Sequence, residues 1–365
     1  MHPAGRALVG LWATILVLGG AGALLLQVMG APGSHPVAKP TMKLKPTLAA
    51  VVTPAAPVVA APQPVAVTVA LASPDPALLE PAPDIVGRML PRIAADGRRP
   101  ADVYAAHPGL PAHGVVVAVL VEGVGLSDVI SHSAIDSLPA AVSLGFSPYS
   151  PTLEQAGPNG LADAARQAGH ETLLSLPMEP AGSPLDDEGP QALSTTIDFD
   201  RDRHALQWTL SRLQGYVGVT NALSGLRGDR FASASAFEIV AKALAARGLI
   251  YVNAGTGPHA GDAVRVHDQV DADVTIDDQP DATDIEARLS RLEQIALTQG
   301  SALGIAGPLR PVTIERLHAW SQHLADRGVT LVPVTALLAW RRDAASRVHP
   351  VMAHLPIPAN LERPL

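Results

Sequence analysis

Glu122 follows a long apolar run, and it is the first residue in this chain placed to do chemistry. Gly114–Val121 reads GVVVAVLV, and Glu122-Gly123 comes directly after it. A second acidic pair, Asp277-Asp278, follows the shorter apolar stretch Val274–Ile276. Carboxylates from two separate segments are the minimal equipment for general acid–base work, or for part of a metal site. Asp277-Asp278 also admits a plainer reading, as a cap for the helix that begins near Asp281. Ser175 and Glu179 in LLSLPMEP, Asn221 in VTNALSG and Asn253 in LIYVN offer hydroxyl, carboxylate and amide groups after other apolar stretches. Groups of that kind hydrogen-bond sugar hydroxyls without chemistry. Histidines are not among them. His170 precedes an apolar stretch, and His318 and His323 are five apart, so they do not share a helix face. No Walker lysine, nucleophile elbow or G-x-G-x-x-G spacing is present.

The elements that must position these residues follow one repeating unit: an amphipathic helix, a glycine, then a short apolar strand. Leu161, Ala164, Ala165 and Ala168 share a helical face, closed by Gly169 before ETLLSL. Phe237, Val240 and Leu244 share another, closed by Gly248. Ile285, Leu289, Leu292 and Ala296 form a third before Gly300, and Ile314, Leu317 and Leu324 a fourth before Gly328. Glycine suits the left-handed residue just past a helix end. Strands alternating with helices imply a parallel α/β sheet. The strand candidates are Val115–Val121, Ala141–Phe146, Glu171–Leu176, Tyr216–Thr220, Leu249–Asn253, Val274–Ile276, Ala302–Ile305 and Val329–Val332. About eight strands suggest a closed or nearly closed barrel, with a doubly wound open sheet as the alternative. In both, chemistry belongs at the C-terminal ends of the strands.

Composition narrows the class. The chain has 365 residues, 47% of them hydrophobic and only 3% aromatic, so its core is aliphatic. A formal net charge of −8 and the lack of a basic run in the C-terminal two thirds argue against a nucleic-acid partner. The absence of cysteine excludes disulfides and thiolate metal sites. Ala7–Leu26 carries no charge, and as a helix its roughly 20 residues would cross a bilayer core of about 30 Å. Residues 1–30 are therefore expected to be a membrane anchor, with a cleaved signal peptide as the competing reading. Residues 31–105, rich in Pro, Ala and Val in their first part, are expected to be a disordered linker. The globular domain is expected over 106–345, followed by a tail at 346–365.

AVLVEGVGLS, LGFSPYSP, GHETLLSLPMEP, GPQALST, GYVGVTNALSG, RGLIYVN and RGVTLVPVTALL resemble, in order, the successive blocks of the divergent polysaccharide deacetylases. The resemblance covers Val115 to Leu338. SPYSP and LPMEP are its most specific parts, since secondary structure alone explains neither. It implies a distorted (β/α) barrel and descent from enzymes that remove acetyl groups from polysaccharide with a divalent metal. It also implies departures. Glu122-Gly123 stands where the family typically has Asp-Asp, and Ser175, Ala222 and Gly307 stand where histidine is common. Asn253 stands where aspartate is typical. A hydrolytic metal needs about three nitrogen or carboxylate ligands, so the family's zinc or similar ion is expected to be lost, leaving no cofactor. Two functions remain. One is a non-catalytic envelope domain that binds glycan, peptidoglycan or an envelope protein partner. The other is a hydrolase with an altered site, using Glu122 with Asp277 or Asp278, and Ser175, Glu179, Asn221 and Asn253 for substrate. The layout implies the inner membrane, spanned once, with the C-terminal domain in the periplasm.

Overall fold

Ten consecutive residues, Val115–Val124, form β3, the longest strand and the centre of the sheet. In this computed structural model the described residues are 70–107, 110, 113–153, 160–196, 198–255 and 265–348. They open with a hairpin of β1 (Leu79–Pro81) and β2 (Met89–Pro91). After β3 come β4 (Ser143–Phe146), β5 (Thr172–Ser175), β6 (Gly218–Thr220) and β7 (Ile250–Asn253). Then follow β8 (Gln269–Asp271), β9 (Val274–Thr275), β10 (Ser301–Ala306) and β11 (Val329–Leu331). The main sheet has nine strands in the order β8-β7-β6-β5-β4-β3-β10-β9, with β11 beside the start of β3, and every pair is parallel. Its two ends are one stretch of chain. The Ala272 N–H bonds Asn253 O of β7, and the next N–H, of Asp273, bonds Leu303 O of β10. That crossing brings the two edges together as a distorted, incomplete (β/α) barrel in which β8 and β9 do not pair, rather than a doubly wound open sheet.

Both faces of the sheet are covered, as continuous apolar strands require. Val117, Val119 and Val121 face outward and pack with Ile285, Leu289, Leu292 and Ala296 of helix Ala282–Gln299. That face and the one at Val240 and Leu244 are buried as the spacing predicts. Gly169, Gly248, Gly300 and Gly328 all take left-handed φ, between 65° and 84°. Val116, Ala118 and Leu120 face inward with Leu173, Ile250, Val252, Leu303 and Ile305. The same inner cluster takes in Leu78, Ala101, Tyr104, and Val334 and Leu337 of helix Val334–Val348.

Two features depart from the sequence reading. Residues 76–105 are not linker. Leu78 and Leu90 are fully buried and Tyr104 nearly so, and Ala101 N–H bonds Gly248 O at the N-terminal end of β7. Pro76, Pro81, Pro91 and Pro100 sit where proline is tolerated, at the starts and ends of short elements. Strand β8 lies outside the strand candidates, because Gln-Val-Asp has no apolar period. The expected anchor, the linker up to residue 69 and the tail after residue 348 lie outside the described residues. Among the described residues, no helix is long and apolar enough to cross a membrane.

Candidate functional site

Alternation along β3 turns Glu122 into the barrel, on the face of Leu120 and opposite Gly145 of β4. The side chain is fully buried. One carboxylate oxygen accepts the Ser224 N–H (3.0 Å) and the other the Gly225 N–H (2.8 Å). These donors come from a two-residue turn in which Leu223 and Leu226 exchange backbone hydrogen bonds at 3.0 and 2.8 Å. Ser224 (φ 52°) and Gly225 (φ 83°) are both left-handed, as a tight hairpin turn of this length prefers. Ser224 is the non-glycine residue with positive φ among the described residues. Successive N–H groups in such a turn form an anion-binding nest, and Glu122 fills it. Burial pushes the Glu122 carboxyl up to about 7; the two N–H groups and Arg227 act against the rise, and the Asp277 charge adds to it.

Gly307 joins Glu122 to Asp277. Its N–H bonds one Asp277 oxygen at 2.7 Å, and Thr313 Oγ1 bonds the other at 2.8 Å. A Cβ on Gly307 would lie 2.3 Å from Glu122 Oε1, so no side chain fits there as Glu122 stands. Asp278 is elsewhere, half exposed and paired with Arg227 (3.2 Å) and Arg288 (3.9 Å). Neither aspartate caps the following helix; Asp281 does, accepting from Thr283 and Asp284 N–H. Asn221 and Asn253 bond each other (3.3 Å), Ala254 N–H bonds Asn221 Oδ1 (2.7 Å), and Asn253 reaches Asp271 (3.0 Å). Both amides are thus engaged with neighbouring protein groups. Glu179 lies in the loop after β5, where Ser194 Oγ, Thr195 N–H and Thr195 Oγ1 all donate to one of its oxygens. Burial alone would raise its pKa, but these donors and Arg230 hold it below the usual carboxylate value. Ser175 is fully buried at the end of β5, and its Oγ has no hydrogen-bond partner.

Sequence reasoning missed Glu188. It lies in the loop that carries LPMEP, in the stretch DDEGPQ, which has no period to mark it. The structure buries it to 4% exposure. Its Oε2 accepts the Met178 N–H at 2.7 Å, whereas Oε1 is buried without a partner. Burial pushes its carboxyl up to about 8; the Met178 and Gly228 N–H groups oppose the rise, and the charges of Glu122 and Asp229 add to it. Glu188 lines a cleft of about 240 Å³ with Tyr149, Asp187, Gly189, Pro190, Leu223, Ser224 and Leu226. Tyr149 is the tyrosine of SPYSP. Arg212 fixes that loop by donating to Pro148 O (2.8 Å) and Ser150 O (3.0 Å). Ser224 therefore touches Glu122 on one side and faces the Glu188 cleft on the other.

Residues 119–338, more than half of the chain, match the sequence profile described as divergent polysaccharide deacetylase. The chain belongs to the divergent polysaccharide deacetylase family. The uncharacterized protein YibQ of Escherichia coli strain K12 is 25% identical over 211 residues, which are 55% of this chain and 61% of YibQ. The chain thus matches less than two thirds of that relative's length. An uncharacterized protein of Agrobacterium tumefaciens C58, ATU2773, has a crystal structure similar to this one. It is 33% identical at a TM-score of 0.61, covering 68% of this chain and 99% of that one. Membership implies a divalent metal, and the donors here do not fit one. Gly123, Ala222 and Gly307 bring no donor atom, and Glu122 and Asp277 already spend their oxygens on protein hydrogen bonds. Among the described residues, no three His, Cys, Asp or Glu side chains converge on one point.

Proposed function

We propose that this family member is a non-catalytic glycan-binding domain of the cell envelope, held at the membrane by its N-terminal apolar segment. The observation that carries the reading is the state of Glu122. In a hydrolase of this ancestry a carboxylate at this strand end would face metal or substrate. Here it holds a backbone turn, and Gly307 packs where a ligand side chain would stand. What remains open at the rim is a cleft with a tyrosine ring, hydroxyls and carboxyl groups, which suits sugar recognition. The alternative, a hydrolase with an altered site, draws on one observation: a carboxyl raised to about 7 has the proton affinity of a general acid–base.

The two readings part in one assay. The full-length chain is incubated with N-acetylated and O-acetylated oligosaccharides, with and without added zinc, manganese or cobalt, and acetate is measured. The binding reading expects no release above buffer and less than stoichiometric metal on the purified protein. Acetate release that disappears in Glu122→Gln would establish the hydrolase instead.

A further inference from the structure

We infer that the cleft at Glu188 is a binding site for a protonated primary amine, namely the ammonium group of a de-N-acetylated amino sugar. The inference rests on the glycan-binding reading and names the kind of sugar the cleft selects. Its volume of about 240 Å³ is that of roughly eight water molecules, room for one sugar unit rather than a length of chain. The lining groups that carry charge are acidic: Asp187 and Glu188, with Tyr149 between the loops and no lysine, arginine or histidine among them.

The groups around Glu188 reinforce that sign. Glu122 of β3 and Asp229 of the short helix Asp229–Ala232 bring negative charge toward it. Tyr149 from the SPYSP loop and Tyr251 of β7 are both within its electrostatic reach. The nearby cations are turned to other partners. Arg230 pairs with Glu179 at 3.3 Å, Arg227 with Asp278 at 3.2 Å, and Arg201 donates to Ala192 O and Pro190 O. Glu188 is thus a buried acid whose Oε1 has no donor and whose charged neighbours repel its ionised form. Such a group is relieved by a proton or by a cation. In the free protein the proton does it, and the side chain is neutral near pH 7.

An ammonium entering the cleft replaces that proton. The carboxylic acid loses H⁺ to solvent, a rotation of the Glu188 side chain brings the buried Oε1 to the cleft, and there it accepts a hydrogen bond from the ammonium as the charge pair forms. Asp187 adds a second carboxylate at the exposed edge, and the Tyr149 ring offers a cation–π face. An N-acetylated sugar brings no charge and releases no proton, so it gains less here.

Titration calorimetry of the full-length chain with a glucosamine tetramer tests this, run at pH 6.5 in two buffers of different ionisation heat. Binding should release up to one proton per chain. The tetra-N-acetyl tetramer should bind at least about tenfold more weakly, the size of one charge-assisted hydrogen bond. Glu188→Gln keeps an acceptor for the Met178 N–H, and it should lose about tenfold in affinity together with the proton release. A merely structural role would weaken both tetramers alike and leave the proton release in place. Should Glu188→Gln fail to fold, Asp187→Asn is expected to weaken binding several-fold without touching a buried group. Equal or tighter binding of the N-acetylated tetramer overturns this inference and leaves the glycan reading standing. Binding of neither tetramer overturns both. A lysine tetrapeptide that binds as tightly as the glucosamine tetramer overturns the assignment to a sugar.

Discussion

Glu171, at the N-terminal end of β5, and Glu122, near the C-terminal end of β3, are both fully buried acids that accept backbone N–H groups. Glu171 accepts from Ala106 N–H (2.9 Å), Thr335 N–H (3.2 Å), Ser143 Oγ (3.4 Å) and Thr335 Oγ1. Thr335 lies in the first turn of helix Val334–Val348, so Glu171 supplies an acceptor that this helix start would otherwise lack. Burial raises its pKa, opposed by those same donors. Every acceptor site there is used, and the end is shut by the helix and by residues 76–105. At the other end Glu122 holds a turn with only two donors, and just beyond that turn Glu188 keeps an oxygen unpaired beside a cleft. Similar chemistry therefore serves closure at one end and leaves unspent bonding capacity at the other. Unspent capacity is what a ligand can use, and on the binding reading proposed above it lies at the C-terminal ends of the strands.

The largest effect is expected from opening the closed end. A chain beginning at residue 106 loses Leu78, Leu90 and Tyr104 from the core. At about 2 kcal/mol for each large buried side chain, the loss is at least about 5 kcal/mol, comparable with the whole stability of many domains. Chemical denaturation should show a lost or broadened transition; an unchanged midpoint would mean that the segment only rests on the barrel. A smaller effect is expected from Glu171→Ala, which leaves the partly buried Ala106 and Thr335 N–H groups without that acceptor. That should cost about 3 kcal/mol and be visible as a lowered urea midpoint at constant slope.

The smallest effect belongs to the open end and depends on pH. Glu122 and Glu188 have folded values of about 7 and about 8, above the usual 4.5. Between about pH 4.5 and 8 the folded chain therefore holds more protons on these groups than the unfolded chain. Their contribution to stability is complete below about pH 4.5 and is lost as pH rises through 7 and 8. Glu122→Gln and Glu188→Gln should each flatten that decline, seen as a shallower fall of the unfolding free energy between pH 5 and 8. If the slope from pH 5 to 8 is the same in wild type and both variants, neither acid is protonated in the folded protein.

Much of the barrel was legible because burial leaves a period in sequence. The GVVVAVLV run, the 3.6-residue faces at Ile285–Ala296 and Phe237–Leu244, and the glycines that close them all describe local geometry, and the structure keeps them. Glu122 and Asp277 could be placed because they end such runs. What was not legible had no local period. Residues 76–105 read as linker because a proline-rich stretch gives the same signal whether or not tertiary contacts bury its leucines. The short strand β8 is polar, and its pairing with β7 alone makes it a strand.

By itself the sequence determined the parallel α/β class, the family and the positions that lack metal donors, since these follow from residue type and order along the chain. The tertiary structure decided which carboxylates are spent and which are free. Glu122, Glu171, Glu179 and Glu188 are alike as residues, and each is buried. They differ in how many N–H and O–H groups the fold brings to them from distant segments. The number of donors around a carboxyl is set by where loops meet in space, which no spacing along the chain records. That number separates an acid that closes the barrel from one that can receive a ligand.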